Sequence, residues 1–104
     1  MATGRLGVSS PAATTATNLF QVGAGKVATF SLSICNTNAA SVTVRVGLCT
    51  TSATFGTGEY IEYDTVILGN SVMERTGLVL DATKYVVVYA STTGVNFVAY
   101  GFEE

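Results

Sequence analysis

Residues 27–49, VATFSLSICNTNAASVTVRVGLC, contain two segments in which apolar and polar side chains alternate. A period of two indicates β-strands with one buried face. Because paired residues share a face of a sheet, the pattern predicts a β-hairpin in which Ile34 lies opposite Val42 or Val44. A loop drawn from residues 37–41 would connect the two strands. This part of the chain therefore predicts a β-sheet core.

Further strand patterns occur on both sides of this stretch and are separated by turn residues. They cover residues 5–8, 18–22, 59–68, 72–80, 85–90 and 95–102. Seven to eight short strands at spacings of roughly 8–12 residues are typical of an antiparallel β-sandwich, either jelly-roll or immunoglobulin-like. We expect one β-sandwich domain over residues 1–104. Residues 1–18, which include the chain's one proline, are a candidate extended N-terminal arm that would reach a neighbouring subunit.

The composition restricts the partners that the chain can have. Hydrophobic residues make up 48% of the chain and charged residues only 12%, about half the usual charged fraction. We therefore expect other protein to cover part of the surface. A net charge of −2 with scattered basic residues argues against nucleic acid. No apolar run is long enough for a membrane span, and the N-terminus does not have the pattern of a signal peptide.

Two cysteines lie near opposite ends of the predicted hairpin. Cys35 and Cys49 would be separated by roughly 20 Å at ~3.3 Å per residue, whereas a disulfide needs Cα atoms within about 7 Å. Free thiols are predicted, in agreement with folding in a reducing cytoplasm. A metal or redox pair is disfavoured because the chain has no histidine and no CxxC motif.

The chain offers few residues for catalysis. Histidine, the commonest general base and metal ligand, is absent. Glu62 and Asp64 would lie ~7 Å apart on one strand face, a separation found in glycosidase carboxylate pairs. The alternative is that both are solvent-exposed and paired with Arg75 or Arg45. No loop has the spacing of a calcium site. We therefore predict no enzymatic activity and no cofactor.

The last two predicted strands are apolar on both faces. A two-layer sandwich has only one interior, so the second faces must be covered by something else. We predict that they form an oligomer interface, and the candidate residues are Val87, Tyr89, Val98, Tyr100 and Phe102. The alternative is that the chain's own residues 9–18 cover them.

The tyrosines suggest a second kind of surface. Five of them, at positions 60, 63, 85, 89 and 100, would form an aromatic platform if they lay close together. Exposed rings of this kind bind sugars, although tyrosines also cover sheet faces and interfaces. Tyr60 and Phe55, the latter in the Thr/Ser/Gly-rich segment 50–58, are the candidate ligand surface of this alternative.

Several short blocks of the chain resemble a known family. They are Ala24-Gly25-Lys26-Val27-Ala28-Thr29, Asn36-Thr37-Asn38, Tyr60-Ile61-Glu62-Tyr63-Asp64, Glu74-Arg75-Thr76-Gly77 and Tyr100-Gly101-Phe102-Glu103. These blocks resemble recurring segments of small virion-associated proteins of tailed bacteriophages, notably those that infect marine bacteria. The resemblance implies a structural part of the virion that is made in the host cytoplasm and assembled as an oligomer.

These observations lead to one principal prediction and one alternative. The principal prediction is a non-enzymatic bacteriophage virion structural protein, a homo-oligomer with a trimer favoured, that decorates or stabilises the capsid. Its partners would be phage capsid or tail proteins, with no nucleic acid and no membrane. The alternative is a receptor- or carbohydrate-binding module at a tail or fibre tip.

Overall fold

A computed structural model describes residues 2–104, which form eight antiparallel β-strands. They are β1 (Ala2–Ser9), β2 (Thr17–Gln21), β3 (Ala28–Asn36), β4 (Val42–Cys49), β5 (Tyr60–Ile67), β6 (Val72–Leu80), β7 (Tyr85–Ala90) and β8 (Val95–Glu103). Two four-stranded sheets result, and no helix occurs within the described residues. The prediction of an all-β antiparallel sandwich with seven to eight strands is confirmed.

The strand order identifies the type of sandwich. The first sheet has the order β1-β8-β3-β6, and the second has the order β2-β7-β4-β5. Strand β1 therefore pairs with β8, β2 with β7, β3 with β6 and β4 with β5. The chain is one long hairpin of four strand pairs, in which successive pairs enter alternate sheets. This arrangement is a jelly roll, one of the two architectures that the sequence left open.

The predicted hairpin between β3 and β4 is wrong, because these strands lie in different sheets. Ile34 lies opposite Met73 of β6 and Phe97 of β8, and not opposite Val42 or Val44. Residues 37–41 cross from one sheet to the other. The alternation does identify the buried faces: β3 buries every second residue throughout, and β4 does so from Val42 to Val46, after which Gly47 and Cys49 are buried as well. Alternation identifies the buried face of a strand but not its neighbour in the sheet.

The core lies between the two sheets and is built from the inward-facing apolar side chains. Its fully buried members include Leu32, Ile34, Val44, Val46, Val86, Val88, Val95 and Phe97. The rings of Phe20 and Phe30 meet edge to face, with their centroids 5.2 Å apart. Complete burial of one such side chain stabilises the fold by roughly 1.5–3 kcal/mol. The alternating pattern of the sequence is therefore explained by this single interior.

The four edge strands are irregular, whereas the central strand pairs are not. The β3–β8 and β4–β7 pairs keep one register throughout, but the register shifts in the pairs formed by β1, β2, β5 and β6. In β6, Gly77 lies in a bulge at φ +72°; in β5, Asp64 does so at φ +49°. Such bulges interrupt the row of backbone groups that an edge strand would offer to another strand.

The N-terminal segment belongs to the sandwich and is not the extended arm expected over residues 1–18. Residues 2–9 form the edge strand β1, and residues 17–21 form the edge strand β2 of the other sheet. The amide nitrogen of Thr14, in the connection between them, donates to the carbonyl of Ala90 at 2.8 Å. Met1 lies outside the described residues. The segment is therefore held at the sheet edges and does not cover the outer faces.

Candidate functional site

The five residues predicted to form one oligomer interface lie on two opposite faces of the molecule. Val87 and Tyr89 belong to β7 in the second sheet, whereas Val98, Tyr100 and Phe102 belong to β8 in the first sheet. The sequence pattern indicated correctly that both strands have two apolar faces, but it did not place the strands in separate sheets. A single surface made of all five residues is therefore excluded within one subunit.

Val87 does not belong to an exposed surface at all. Its exposed fraction is 0%, although it lies outside the main core cluster. Its neighbour in β4 is Gly47, and a Cβ atom built on Gly47 would lie 2.7 Å from the ring of Phe55. The Phe55 ring thus takes the space that a larger residue at position 47 would fill. The segment 50–58 folds back over the outer face of the second sheet beside Val87.

Glu59 anchors this segment. Its carboxylate accepts hydrogen bonds from the amide nitrogens of Thr50 at 3.1 Å and Gly56 at 2.9 Å. These amides, with Gly56 first, hold the pKa of Glu59 below its usual value. Cys49 is buried in the same region, and this burial raises the pKa of its thiol to about 11. Both Cys49 and Cys35 are free thiols, as predicted.

Next to this segment, four aromatic rings and one arginine form a continuous series of contacts. Phe55 and Tyr60 are stacked with centroids 4.6 Å apart, and Tyr60 meets Tyr63 edge to face at 4.9 Å. The guanidinium carbon of Arg45 lies 4.5 Å from the ring centroid of Tyr63 and 4.6 Å from that of Tyr89. We call these five residues the aromatic–arginine stack. The structure thus brings together Tyr60 and Phe55, the two candidate ligand residues.

Arg45 is oriented within the stack by Asp64. Its Nε donates to Asp64 Oδ1 at 2.6 Å, and a second guanidinium nitrogen donates to Oδ2 at 3.3 Å. This bidentate ion pair lowers the pKa of Asp64 and raises the pKa of Arg45. The stack therefore presents flat ring faces beside a paired cation and anion, a combination that suits a ligand with both apolar and hydroxyl groups.

Glu62 and Asp64 do not share a site, because the bulge in β5 separates them. Asp64 pairs with Arg45 of the second sheet, whereas Glu62 pairs with Arg75 from β6 of the first sheet. Glu62 also accepts the hydroxyl of Thr65 at 2.7 Å. The predicted pairing of these carboxylates with Arg75 and Arg45 is confirmed. The alternative, a hydrolytic pair, would require both carboxylates to face one substrate, which this arrangement does not provide.

The outer face of the first sheet carries the remaining predicted interface residues. We call it the Tyr100 face, and its exposed or half-buried apolar side chains are Val8, Val27, Val72, Val79, Val98, Tyr100 and Phe102. A shallow groove of about 310 Å³ crosses it and is lined by Thr29, Phe30, Ser31, Gly77, Tyr100, Gly101 and Phe102. The hydroxyl of Tyr100 donates to Glu74 at 3.0 Å, and this contact raises the pKa of Tyr100.

The aromatic–arginine stack could not be found from spacing. Its members come from three separate parts of the chain, namely β4, residues 55–63 and β7. The sequence predicts Arg45 only as an ion-pair partner, and no signal in its own strand indicates that it lies between two tyrosines. The one available signal was the number of tyrosines, which suggested a platform without showing which of them meet.

Two further observations concern other kinds of site. Within residues 2–104, no three His, Cys, Asp or Glu side chains lie close enough to hold a metal ion. The same residues include no helix long and apolar enough to cross a membrane. Comparison of the chain with protein-family models, curated proteins and solved structures finds no match.

Proposed function

We propose that this chain is a non-enzymatic structural protein of a bacteriophage virion, a homo-oligomer that decorates or stabilises the capsid. It would be made in the host cytoplasm and would bind capsid or tail proteins. Two features support this proposal besides the Tyr100 face. The sequence blocks quoted above resemble virion-associated proteins, and the jelly roll is an architecture that viral capsid proteins use.

The observation that carries the proposal is the Tyr100 face. It exposes seven wholly or partly accessible apolar side chains, which lie on β1, β6 and β8 and at position 27 just before β3. Monomeric proteins rarely expose a large contiguous apolar patch, and such patches usually mark an interface. The interior of the sandwich is already filled by the inward-facing side chains, so these outward-facing ones need cover from another protein molecule.

The proposal is tested on intact virions and on the purified chain. Antibody labelling and cryo-electron microscopy should locate the protein at repeated positions on the capsid surface. The purified chain should sediment as an oligomer at micromolar concentration. A compact monomer at that concentration, together with virions that lack the protein, would overturn the proposal.

The aromatic–arginine stack supports a second candidate function, that of a receptor- or carbohydrate-binding module at a tail or fibre tip. Tyr60 and Tyr63 are both exposed and meet edge to face, and the ring of Tyr63 lies against the guanidinium of Arg45, which pairs with Asp64. Jelly rolls also occur in lectin domains. This candidate differs from the first because it needs an accessible stack rather than a covered Tyr100 face.

A glycan array and host-cell adsorption measure this second candidate directly. Binding should be lost in Tyr60→Ala and retained in Tyr100→Ala. The two tyrosines make a matched pair, because their exposed fractions are 38% and 39% and they lie on opposite faces. Absence of binding by the unmodified chain to every glycan and host surface would remove the candidate.

A further inference from the structure

We infer that the Tyr100 face binds a second copy of this chain, face to face, about a two-fold axis that runs parallel to the strands between β8 and β3. The inference rests on the proposed function, because it specifies the contact through which the homo-oligomer forms. It replaces the trimer favoured from the sequence with a symmetric pair. In such a contact, each copy contributes the same surface.

The charges on this face are placed so that it complements itself. Arg5 lies on β1 at one edge of the sheet, and Glu74 lies on β6 at the other edge. The outward positions of β8 and β3, between these edges, are all uncharged: Thr29, Ser31, Ser33, Cys35, Asn96, Val98, Tyr100 and Phe102. Glu104 lies beyond the end of β8, exposed at the rim. One face thus carries a cation and an anion on opposite sides of a neutral centre.

A two-fold axis along the strands brings these opposite charges together. Rotation about this axis places β1 of one copy over β6 of the other. Arg5 is level with Ser31, and Glu74 is level with Ser33. The two charges are therefore offset by two residues, or ~7 Å along the strand, which an arginine side chain can span. Two equivalent Arg5–Glu74 pairs form in the dimer.

Other orientations are less favourable. An axis perpendicular to the strands would place β1 over β1 and bring the two Arg5 side chains together. Within residues 2–104, Arg5 has no ion-pair partner, because the described pairs join Arg45 to Asp64, Arg75 to Glu62 and Lys84 to Asp81. Two unpaired arginines would then repel each other across the interface. Charge complementarity therefore selects the axis parallel to the strands.

The remaining surfaces are poorer candidates for self-association. All four edge strands contain register shifts, which interrupt the hydrogen-bonding row that pairing with a second copy would require. The outer face of the second sheet also exposes Tyr63 and Val66, but its Arg45 and Asp64 already pair with each other and offer no free charge to orient a second copy. The Tyr100 face accordingly combines exposed apolar side chains with two charges, Arg5 and Glu74, that form no ion pair within residues 2–104.

The small area of the Tyr100 face limits the affinity that we expect for the dimer. Four strands at ~4.8 Å spacing and about eight residues at ~3.3 Å give a face of roughly 19 by 26 Å. Two such faces would bury on the order of 1,000 Å² in total, which is the lower limit for a specific interface. We therefore expect a dimer with a dissociation constant in the micromolar range, reinforced in the virion by attachment to a repeating lattice.

A charge swap tests the contact through sedimentation of the full-length chain over a range of concentrations. Arg5→Glu and Glu74→Arg should each raise the dissociation constant about tenfold or more, because each places like charges opposite one another. The double variant should restore it to within about threefold of the original value. Retention of full affinity in the single variants, or no recovery in the double variant, would overturn the arrangement.

A pair of matched valines separates the two outer faces. Val79, on the Tyr100 face, and Val66, on the outer face of the second sheet, are 58% and 60% exposed. Val79→Ser should weaken the dimer, and Val66→Ser should leave it unchanged. The opposite result would place the contact on the second sheet and overturn the inference.

Crosslinking of native thiols gives a readout that needs no charge variant. Cys35 lies on β3 next to the proposed axis and faces outward, so the two Cys35 residues of a dimer would be about 10 Å apart across packed sheets. A short bismaleimide should give a covalent dimer that is lost in Cys35→Ser and kept in Cys49→Ser. No covalent dimer at concentrations where sedimentation shows pairs would contradict the axis.

The measured mass also separates this inference from the proposed function. Two copies support both. Three copies would overturn the two-fold contact and leave a homo-oligomeric structural protein. A monomer at every accessible concentration would overturn the two-fold contact and remove the main physical support of the proposed function.

Discussion

The side-chain amide of Asn36 donates a hydrogen bond to the main-chain carbonyl of Ile67 at 3.2 Å, and this contact joins the last residues of β3 and β5. The two strands belong to opposite sheets, so the contact ties the sheets together at one end of the sandwich. The same amide also donates to the carbonyls of Ala40 and Leu68, and the Asn36 side-chain oxygen accepts from Asn38. A buried polar side chain is tolerated here because all its hydrogen-bonding groups are used.

Replacement of Asn36 by Ala should lower the free energy of unfolding by about 2–4 kcal/mol. The change would leave buried carbonyls without donors and open a cavity where the two sheets meet. Urea unfolding followed by far-UV circular dichroism measures the loss. Asn96→Ala, at an exposed position of β8, is the control and should change stability by less than about 0.5 kcal/mol. Equal effects of the two variants would contradict the structural role of Asn36.

Gly101 should tolerate a side chain much less well than Gly25. Both have positive φ, +154° for Gly101 and +72° for Gly25. A Cβ atom at Gly101 would lie 2.2 Å from the carbonyl oxygen of Thr29, whereas one at Gly25 meets no atom of residues 2–104 within 4 Å. We expect Gly25→Ala to cost about 1 kcal/mol and Gly101→Ala more than about 2 kcal/mol, because only the latter adds a clash with backbone. Thermal unfolding should show the larger loss for Gly101→Ala; a reversed order would be inconsistent with the described β3–β8 contact.

Cys49 should react with iodoacetamide far more slowly than Cys35 in the folded chain. Cys49 is fully buried and its thiol has a pKa of about 11, whereas Cys35 is half-buried. The thiolate is the reactive form, so burial and the raised pKa both slow the reaction. Mass spectrometry of peptides labelled at pH 8 gives the two rates. Glu59→Gln weakens the anchoring of residues 50–58 and should speed the labelling of Cys49 alone; equal acceleration at Cys35 would indicate global loosening instead.

Acid should destabilise the chain through Glu59 and Asp64. The pKa of each carboxyl is lowered in the folded state, that of Glu59 by the amides of Gly56 and Thr50 and that of Asp64 by Arg45. Their contribution to stability is therefore complete above the ordinary carboxyl pKa of about 4 and is lost as the pH falls through the lowered folded values.

The urea midpoint should accordingly stay level from pH 7 to about pH 5 and fall below about pH 4. The double variant Glu59→Gln, Asp64→Asn should show a shallower fall, because its amides do not titrate. Asp81→Asn, at an exposed turn position, controls for the removal of a negative charge. A fall as steep in the double variant as in the unmodified chain would exclude these two carboxylates as its main source.

The ion pairs and aromatic contacts around β5 illustrate which features can be predicted from the sequence and which cannot. The ion pairs of Glu62 with Arg75 and of Asp64 with Arg45 were predictable as a preference for charge pairing on strand surfaces. Their placement on separate sides of β5 was not, because a bulge shifts the parity of every residue after it and leaves no mark in an alternating pattern. The aromatic–arginine stack could not be predicted either, because its rings are distant in sequence and come into contact only through the pairing of β4 with β5 and β7.

The amino-acid sequence alone is enough to predict an all-β chain, the position of most strands and the buried side of β3 and of most of β4. These properties follow from local periodicity, which records the environment of each side chain. Long-range packing is needed to place β3 and β4 in different sheets, to bury Val87 beside Gly47 and to put Val98, Tyr100 and Phe102 on one face with Arg5 and Glu74. The alternating pattern of a strand is the same whichever strand lies beside it in the sheet. The choice of the neighbouring strand depends on the packing of the whole sandwich.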